Sequence, residues 1–285
     1  MNDLHALPSG PLTVAAGQAA CVALDIPANV AAAADLVRRA GDQGAELLVL
    51  PELFLTGYEL AGIVADPDAH TLDPADPRLD PLAAACAETR TAVVAGAPTR
   101  NPGSGQLHIS VLVLGRDGRF AAQYDKQHGT PNERAAGFSS GIAGCTLSFE
   151  GWRLGLGICW DSGFPEHARA AALDGAHAYL VGAMFGQGSG AQQRAVVFPA
   201  RALDNTCYAL LANHCGPSGP YQGSGGSAVW SPDGTLLVDA GTADPALALA
   251  RLDPQVLAGA RAAEPVLVDP SLSAPRHPRL DVALT

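Results

Sequence analysis

Apolar residues fall into short runs divided by turn-forming residues, and their period switches between helical and strand-like along the chain. Helical spacing predicts a helix from Asn29 to about Ala40, ahead of a strand-like run Leu47–Leu50. A second helix near Pro81–Arg90 precedes the strand Ala92–Ala95. Two hairpins follow, turning at Asp117-Gly118 and Glu150-Gly151, where small or acidic residues precede a glycine. Next come a helix from Pro165 to about Asp174, the strand Ala178–Val181, a helix before Asn205 and the strand Cys207–Ala212. A last hairpin turns at Pro232-Asp233-Gly234, and Ala246–Leu252 closes the pattern. Helices alternating with strands, mixed with hairpins, predict a layered α/β protein with a mixed sheet, and the number of strands leaves open a split into two sheets.

Three polar residues stand immediately after strand-like runs: Glu52 after Leu47–Leu50 and Pro51, Lys126 after Phe120–Tyr124, and Cys159 after Arg153–Ile158. Ligand crevices in open α/β sheets lie beyond the carboxyl ends of strands, so residues distant in sequence can converge there. Lys126 is also the chain's single lysine; arginine makes up the rest of its 17 basic residues. A lysine that persists in so arginine-rich a chain suggests a place for a compact point charge where a planar guanidinium does not fit, although a solvated surface lysine is the ordinary alternative.

At 285 residues, 48% hydrophobic and 16% charged, the chain can bury a sizeable core, and it reads as one domain, 1–285. The core is placed at about 12–253, between irregular arms over the first dozen residues and after about Glu264. A formal net charge of -11 with no basic cluster argues against a nucleic-acid surface. The six scattered cysteines show no Cys-x-x-Cys and no disulfide-framework spacing, as expected of reduced thiols in the cytoplasm. The first residues lack a basic secretory leader and no apolar run approaches a membrane span, so neither export nor a membrane partner is expected.

Cys159 is the strongest nucleophile candidate. Gly155 and Gly157 on its strand leave room for close backbone approach, and Phe164-Pro165-Glu166 reads as a helix start. A helix N-terminus and a nearby lysine would lower a thiol pKa from about 8.5 toward neutrality. Glu52, flanked by apolar residues, is the natural base, because desolvation raises a carboxyl pKa into a useful range. A purely structural Glu–Lys ion pair is an equal reading of Glu52 and Lys126 taken alone.

Taken together these segments resemble the nitrilase, or carbon–nitrogen hydrolase, superfamily. The resemblance rests on Pro51-Glu52-Leu53 followed by Gly57-Tyr58, on Tyr124-Asp125-Lys126-Gln127-His128, and on Gly157-Ile158-Cys159-Trp160-Asp161. It extends to Glu133 with Phe138 and Gly141, to Arg201–Asn205 with Asn213, and to Gly226-Ser227 before the last hairpin. Departures are Asp204 for the usual glutamate, Gly129 for leucine and Ile109 for asparagine; none removes a catalytic residue.

The resemblance implies an αββα sandwich, two mixed sheets between helical layers, commonly paired face to face as a homodimer. It implies catalysis by Glu52, Lys126 and Cys159, with Glu133, Trp160 and Tyr58 positioning substrate, and requires neither metal nor organic cofactor. The implied substrate is a small amide, carbamoyl compound or nitrile. Asp161 after the Cys-Trp pair, where nitrilases tend to carry glutamate, favours the amidase-like branch, with N-carbamoyl-amine hydrolase or nitrilase as the alternative. A Cys–His hydrolase using His128 or His214, a zinc hydrolase and a non-catalytic binding module are remoter readings. The eight histidines show no His-Glu-x-x-His pattern or other close ligand spacing, and His128, two residues beyond Lys126, suits a supporting hydrogen bond. Glu59 would hold a substrate amine if it faced the pocket.

Overall fold

The computed structural model describes residues 6–269. One six-stranded sheet is built from β1 (Leu12–Gln18), β2 (Leu47–Val49), β3 (Ala92–Arg100), β4 (Leu107–Leu114), β5 (Phe120–Asp125) and the last strand, β14 (Ala246–Leu252), in the order β14-β1-β2-β3-β4-β5. The second six-stranded sheet takes β6 (Thr146–Phe149), β7 (Trp152–Ile158), β8 (Ala178–Ala183), β9 (Tyr208–Asn213), β12 (Ala228–Trp230) and β13 (Leu236–Asp239), in the order β13-β12-β9-β8-β7-β6. Each sheet has three parallel strands at its centre, β1-β2-β3 and β7-β8-β9, with antiparallel strands outside them. A separate hairpin, β10 (Cys215–Ser218) and β11 (Tyr221–Ser224), stands apart from both.

The strand period of two sorts side chains between layers. In β2, Leu47 and Val49 meet the second sheet while Leu48 meets helices; in β9, Leu210 and Ala212 face inward while Ala209 and Leu211 face outward. Helices α1 (Ile26–Asp42) and α4 (Asp80–Thr89) cover the first sheet through Val30, Leu36, Val37 and Leu82. Helices α6 (Pro165–Leu173) and α7 (Ser189–Asn205) cover the second through Ala168, Phe198 and Ala202. The expected αββα order is therefore present, helix–sheet–sheet–helix. Each fully buried Leu, Val or Phe of these layers contributes about 1.5–3 kcal/mol.

Several boundaries moved for local reasons. Helix α1 starts before Asn29 because Asp25 caps it, its carboxylate accepting from Ala28 N at 3.0 Å. Strand β3 runs on to Arg100, past Ala95, because β4 follows it to the pair Arg100↔Leu107. Along β3, β2 pairs only as far as Val94, so Pro98 forfeits no bond to that neighbour. The short helices α2 (Leu60–Ala65), α3 (Pro67–His70) and α5 (Pro131–Ala136) were not anticipated, nor was α8 (Pro254–Ala263). Helix α8 begins at the cap Asp253 and seats Leu257 in the inner core. Before β1, the segment expected to be an arm is pinned: Trp152 Nε1 donates to Gly10 O at 2.9 Å and His177 Nε2 donates to Ala6 O at 2.9 Å. Of the C-terminal arm expected after about Glu264, residues 265–269 are described, with Leu267 buried, and the remainder lies outside the described residues.

Gly155 and Gly157 do not serve backbone approach. A Cβ at Gly155 would stand 2.7 Å from the Ala171 methyl, and one at Gly157 2.4 Å from the Tyr179 hydroxyl. They admit side chains of α6 and β8 against the nucleophile's strand. No helix among the described residues is long and apolar enough to cross a membrane.

Candidate active site

Three segments deliver the predicted residues to one end of the sandwich, beyond β2, β5 and β7. Lys126 Nζ lies 2.6 Å from Glu52 Oε1 and 2.7 Å from Glu133 Oε1, and all three residues are buried. Glu133 is fixed by its own helix: Thr130 caps α5, its Oγ1 accepting from Glu133 N at 3.2 Å, while Thr130 N donates to Glu133 Oε2 at 2.7 Å. That reciprocal cap occupies one carboxylate oxygen and leaves Oε1 for Lys126 and for a short hydrogen bond from the Tyr58 hydroxyl. Glu52 differs. Its Oε2 is buried with no hydrogen-bond partner, while the Cys159 thiol lies close enough to bias its titration.

The electrostatics follow from burial. Burial pushes the Glu52 carboxyl up to about 7, against the opposing pull of Lys126 and with the aid of Glu133. Burial works to discharge Lys126, but Glu52, Cys159 and Glu133 outweigh it and hold the ammonium above its ordinary range. The Cys159 expectation is reversed: burial, then the Glu52 charge, push the thiol well above its usual value, and Lys126 and a backbone hydrogen bond from Met184 only partly oppose them. The helix expected to help begins at Pro165; Cys159 itself opens a 3-10 helix, Cys159–Gly163. At rest the thiol keeps its proton, and a base has to remove it.

Cys159 has φ 45°, a left-handed conformation disfavoured for a residue with a side chain. Asp161 holds this bend. Its Oδ2 accepts from Ile158 N at 3.0 Å and from the Tyr124 hydroxyl at 2.7 Å, and its Oδ1 accepts from His128 N at 2.8 Å and Nδ1 at 3.0 Å. Since Tyr124 donates to Asp161, the 2.8 Å contact from its oxygen to His167 Nε2 makes that nitrogen the donor, and His167 Nδ1 accepts from Tyr179 at 2.9 Å. From α7, Arg201 Nε donates to Ser162 O at 2.9 Å, tying down the same turn. His128, Asp161 and His167 do form a close set of donors that sequence spacing did not reveal. Four hydrogen bonds already saturate the Asp161 carboxylate, which suits a structural hub.

Glu52 is held by equally non-local means. The Pro51-Glu52 backbone passes between the sheets where both neighbours are glycine: a Cβ at Gly96 of β3 would lie 2.1 Å from Pro51 O, and one at Gly182 of β8 2.5 Å from Leu50 O. Buried His214 donates from Nε2 to Glu52 O at 2.5 Å, and burial lowers its pKa to about 4, so it is a neutral brace and no base for Cys159. Glu59 is not among the residues lining the cavity beside Cys159; its Oε1 accepts from Gly219 N at 2.7 Å and anchors the β10–β11 hairpin. Tyr58 N donates to Ser218 Oγ of that hairpin at 2.7 Å. Beside Cys159 opens a cavity of about 290 Å³, walled by Tyr58, Trp160, Met184, Phe185, Val197 and Tyr221. Of the residues expected to position substrate, Tyr58 and Trp160 border this space, while Glu133 does not and instead holds Lys126.

The carbon–nitrogen hydrolase family profile matches residues 13–262. The chain belongs to this family. A hydrolase encoded in the pqqF 5' region of Pseudomonas protegens is 34% identical over 249 residues, covering 86% of this chain and 84% of that protein. The omega-amidase NIT3 of Saccharomyces cerevisiae is 27% identical over 259 residues, 85% of this chain and 87% of its own. Among solved structures, an amidase from Nesterenkonia sp. AN1, with the acetamide moiety of fluoroacetamide bound to its active-site cysteine, superposes with TM-score 0.78 at 32% identity, covering 90% of this chain and 97% of its own. The carbon–nitrogen hydrolase is thus of the nitrilase superfamily, in its amidase-like branch, and its fold is the nitrilase αββα sandwich.

Proposed function

We propose that this hydrolase is an amidase in which Cys159 is the nucleophile, Glu52 the base and Lys126 an oxyanion donor. The carrying observation is the buried Glu52 carboxylate, with Lys126 on one oxygen, no hydrogen-bond partner on the other, and the Cys159 thiol close enough to bias its titration. With a pKa near 7, Glu52 can both accept and return a proton at neutral pH. It takes the Cys159 proton as the sulfur attacks the amide carbon. The negative charge formed on oxygen is met by Lys126 Nζ and by the N–H of Trp160 at the start of the 3-10 helix. Glu52 then protonates the nitrogen, the C–N bond breaks and ammonia leaves a thioester on Cys159. Water enters, gives its proton to Glu52 and attacks the thioester; the carboxylic acid departs as the thiol regains its proton.

Glu133 and Tyr58 serve this chemistry by fixing Lys126, and Asp161 by fixing the bend at Cys159. Ammonia release from a panel of small amides, N-carbamoyl amines and nitriles tests the reading. Amides should be the best substrates, with Cys159→Ala inactive but folded. Turnover confined to nitriles or carbamoyl compounds would overturn the amidase assignment. A homodimer is also proposed, supported by Leu173, Val196 and Leu203, which leave apolar side chains exposed on α6 and α7.

A further inference from the structure

The cavity beside Cys159 carries information on the acyl half of the substrate, and what is inferred from it rests on the amidase reading. Its lining includes Met184 and Phe185, which follow β8, Val197 of α7 and the rings of Trp160 and Tyr221. Polar groups on the lining, among them Thr130, Gln187, Ser189 and Gln193, are all neutral; among the described residues none of the lining side chains is charged. At about 290 Å³ the space lies at the lower end of small-molecule sites.

None of the nearby cations lines the cavity. Lys126 is clamped by two carboxylates at 2.6 and 2.7 Å. Arg134 hydrogen-bonds Gly129 O and lies over the Trp160 ring, 6.0 Å from its centroid. Arg194 reaches Gly226 O at 2.8 Å and Asp239 Oδ2 at 3.0 Å, and Arg201 is spent on Ser162 O at 2.9 Å. A carboxylate on the acyl chain would have to shed water against this neutral lining with no lining cation to meet it. An ammonium would be desolvated with no lining carboxylate as its partner. Burying an unpaired charge in this way is strongly unfavourable.

We infer that the enzyme takes amides of small, uncharged acyl groups and rejects amides whose acyl chain carries a charge of either sign. Short aliphatic amides fit both the volume and the lining. Short monoamides of dicarboxylic acids and ω-amino amides match the volume but not the uncharged lining.

Steady-state rates with butyramide, succinamate and β-alaninamide, matched in length and different in charge, test this. The wild-type enzyme should favour butyramide in kcat/KM by at least about 100-fold over each charged amide. Gln193→Arg or Val197→Arg, each adding a cation to the lining, should raise succinamate relative to butyramide by at least about tenfold. Succinamate or β-alaninamide turned over within threefold of butyramide would overturn the inference while leaving the amidase reading standing. Failure of both folded arginine variants to shift the ratio would remove this cavity as the acyl site. No turnover of any amide would sink the amidase reading and the inference with it.

Discussion

Replacing Lys126 by arginine keeps the charge and changes only its shape, so it isolates what a point donor does at this position. The lysine ammonium donates to one oxygen of Glu52 at 2.6 Å and one of Glu133 at 2.7 Å in a fully enclosed space. A guanidinium brings five donors on a planar fork. Glu133 Oε2 is already engaged by Thr130 N, so the acceptors within reach are Glu133 Oε1 and the two oxygens of Glu52. At least two N–H groups would be left buried without partners, at about 1–3 kcal/mol each. The fork would also close on both Glu52 oxygens and consume the free one, which the mechanism reserves for the Cys159 proton. Lys126→Arg is therefore expected to lower kcat by at least about 100-fold, comparable to losing an oxyanion-hole donor. Thermal or urea unfolding should show a loss of roughly 2–6 kcal/mol. Ammonia release under saturating amide, with circular dichroism to confirm folding, reads both effects. A folded variant turning over within threefold of wild type would refute the point-donor reasoning.

Three further outcomes are expected. Gly182→Ala puts a methyl 2.5 Å from Leu50 O and must displace the Glu52 backbone; since a shift near 1 Å can cost about 100-fold, kcat should fall by that order, and an unchanged rate would show that Glu52 is not held between the sheets. Protonated Glu52 cannot accept the thiol proton, and burial raises its pKa from 4.5 to about 7, so kcat/KM should rise tenfold per pH unit below 7 and level off above 8; an acid limb near 4.5 would contradict this. Multi-angle light scattering at micromolar concentration should find at least twice the 29.0 kDa subunit mass, and a monomer would contradict the proposed homodimer.

Glu52, Lys126 and Cys159 were legible in the sequence because each follows an apolar run that ends at the same edge of the fold, and their motif contexts carried the family. The alternation of helical and strand-like runs gave the α/β layering, but which face of β2 or β9 meets which layer was not legible, because both strands are apolar on both faces. What escaped was set by contacts between distant segments. Gly96 and Gly182 look like ordinary strand glycines until the loop bearing Glu52 is seen passing between them. Asp161 stood in the nucleophile motif, but its role as a hub depends on Tyr124 and His128, more than thirty residues away. The thiol pKa was misjudged because proximity of Lys126 and a helix start can be read from sequence, whereas full burial beside Glu52, which outweighs them, cannot. The β10–β11 hairpin was hidden in a run rich in glycine, proline and serine that reads as loop.

The central claim is that an amide passes through a thioester on Cys159. Acid quenching during steady-state turnover of butyramide, followed by intact and peptide mass spectrometry, tests it directly. The account predicts a butyryl group on the peptide containing Cys159, lost on standing with substrate exhausted and converted to butyrohydroxamate by hydroxylamine. Ammonia release with Cys159 never acylated, or an acyl group carried by Cys145 or Cys215 instead, would contradict it.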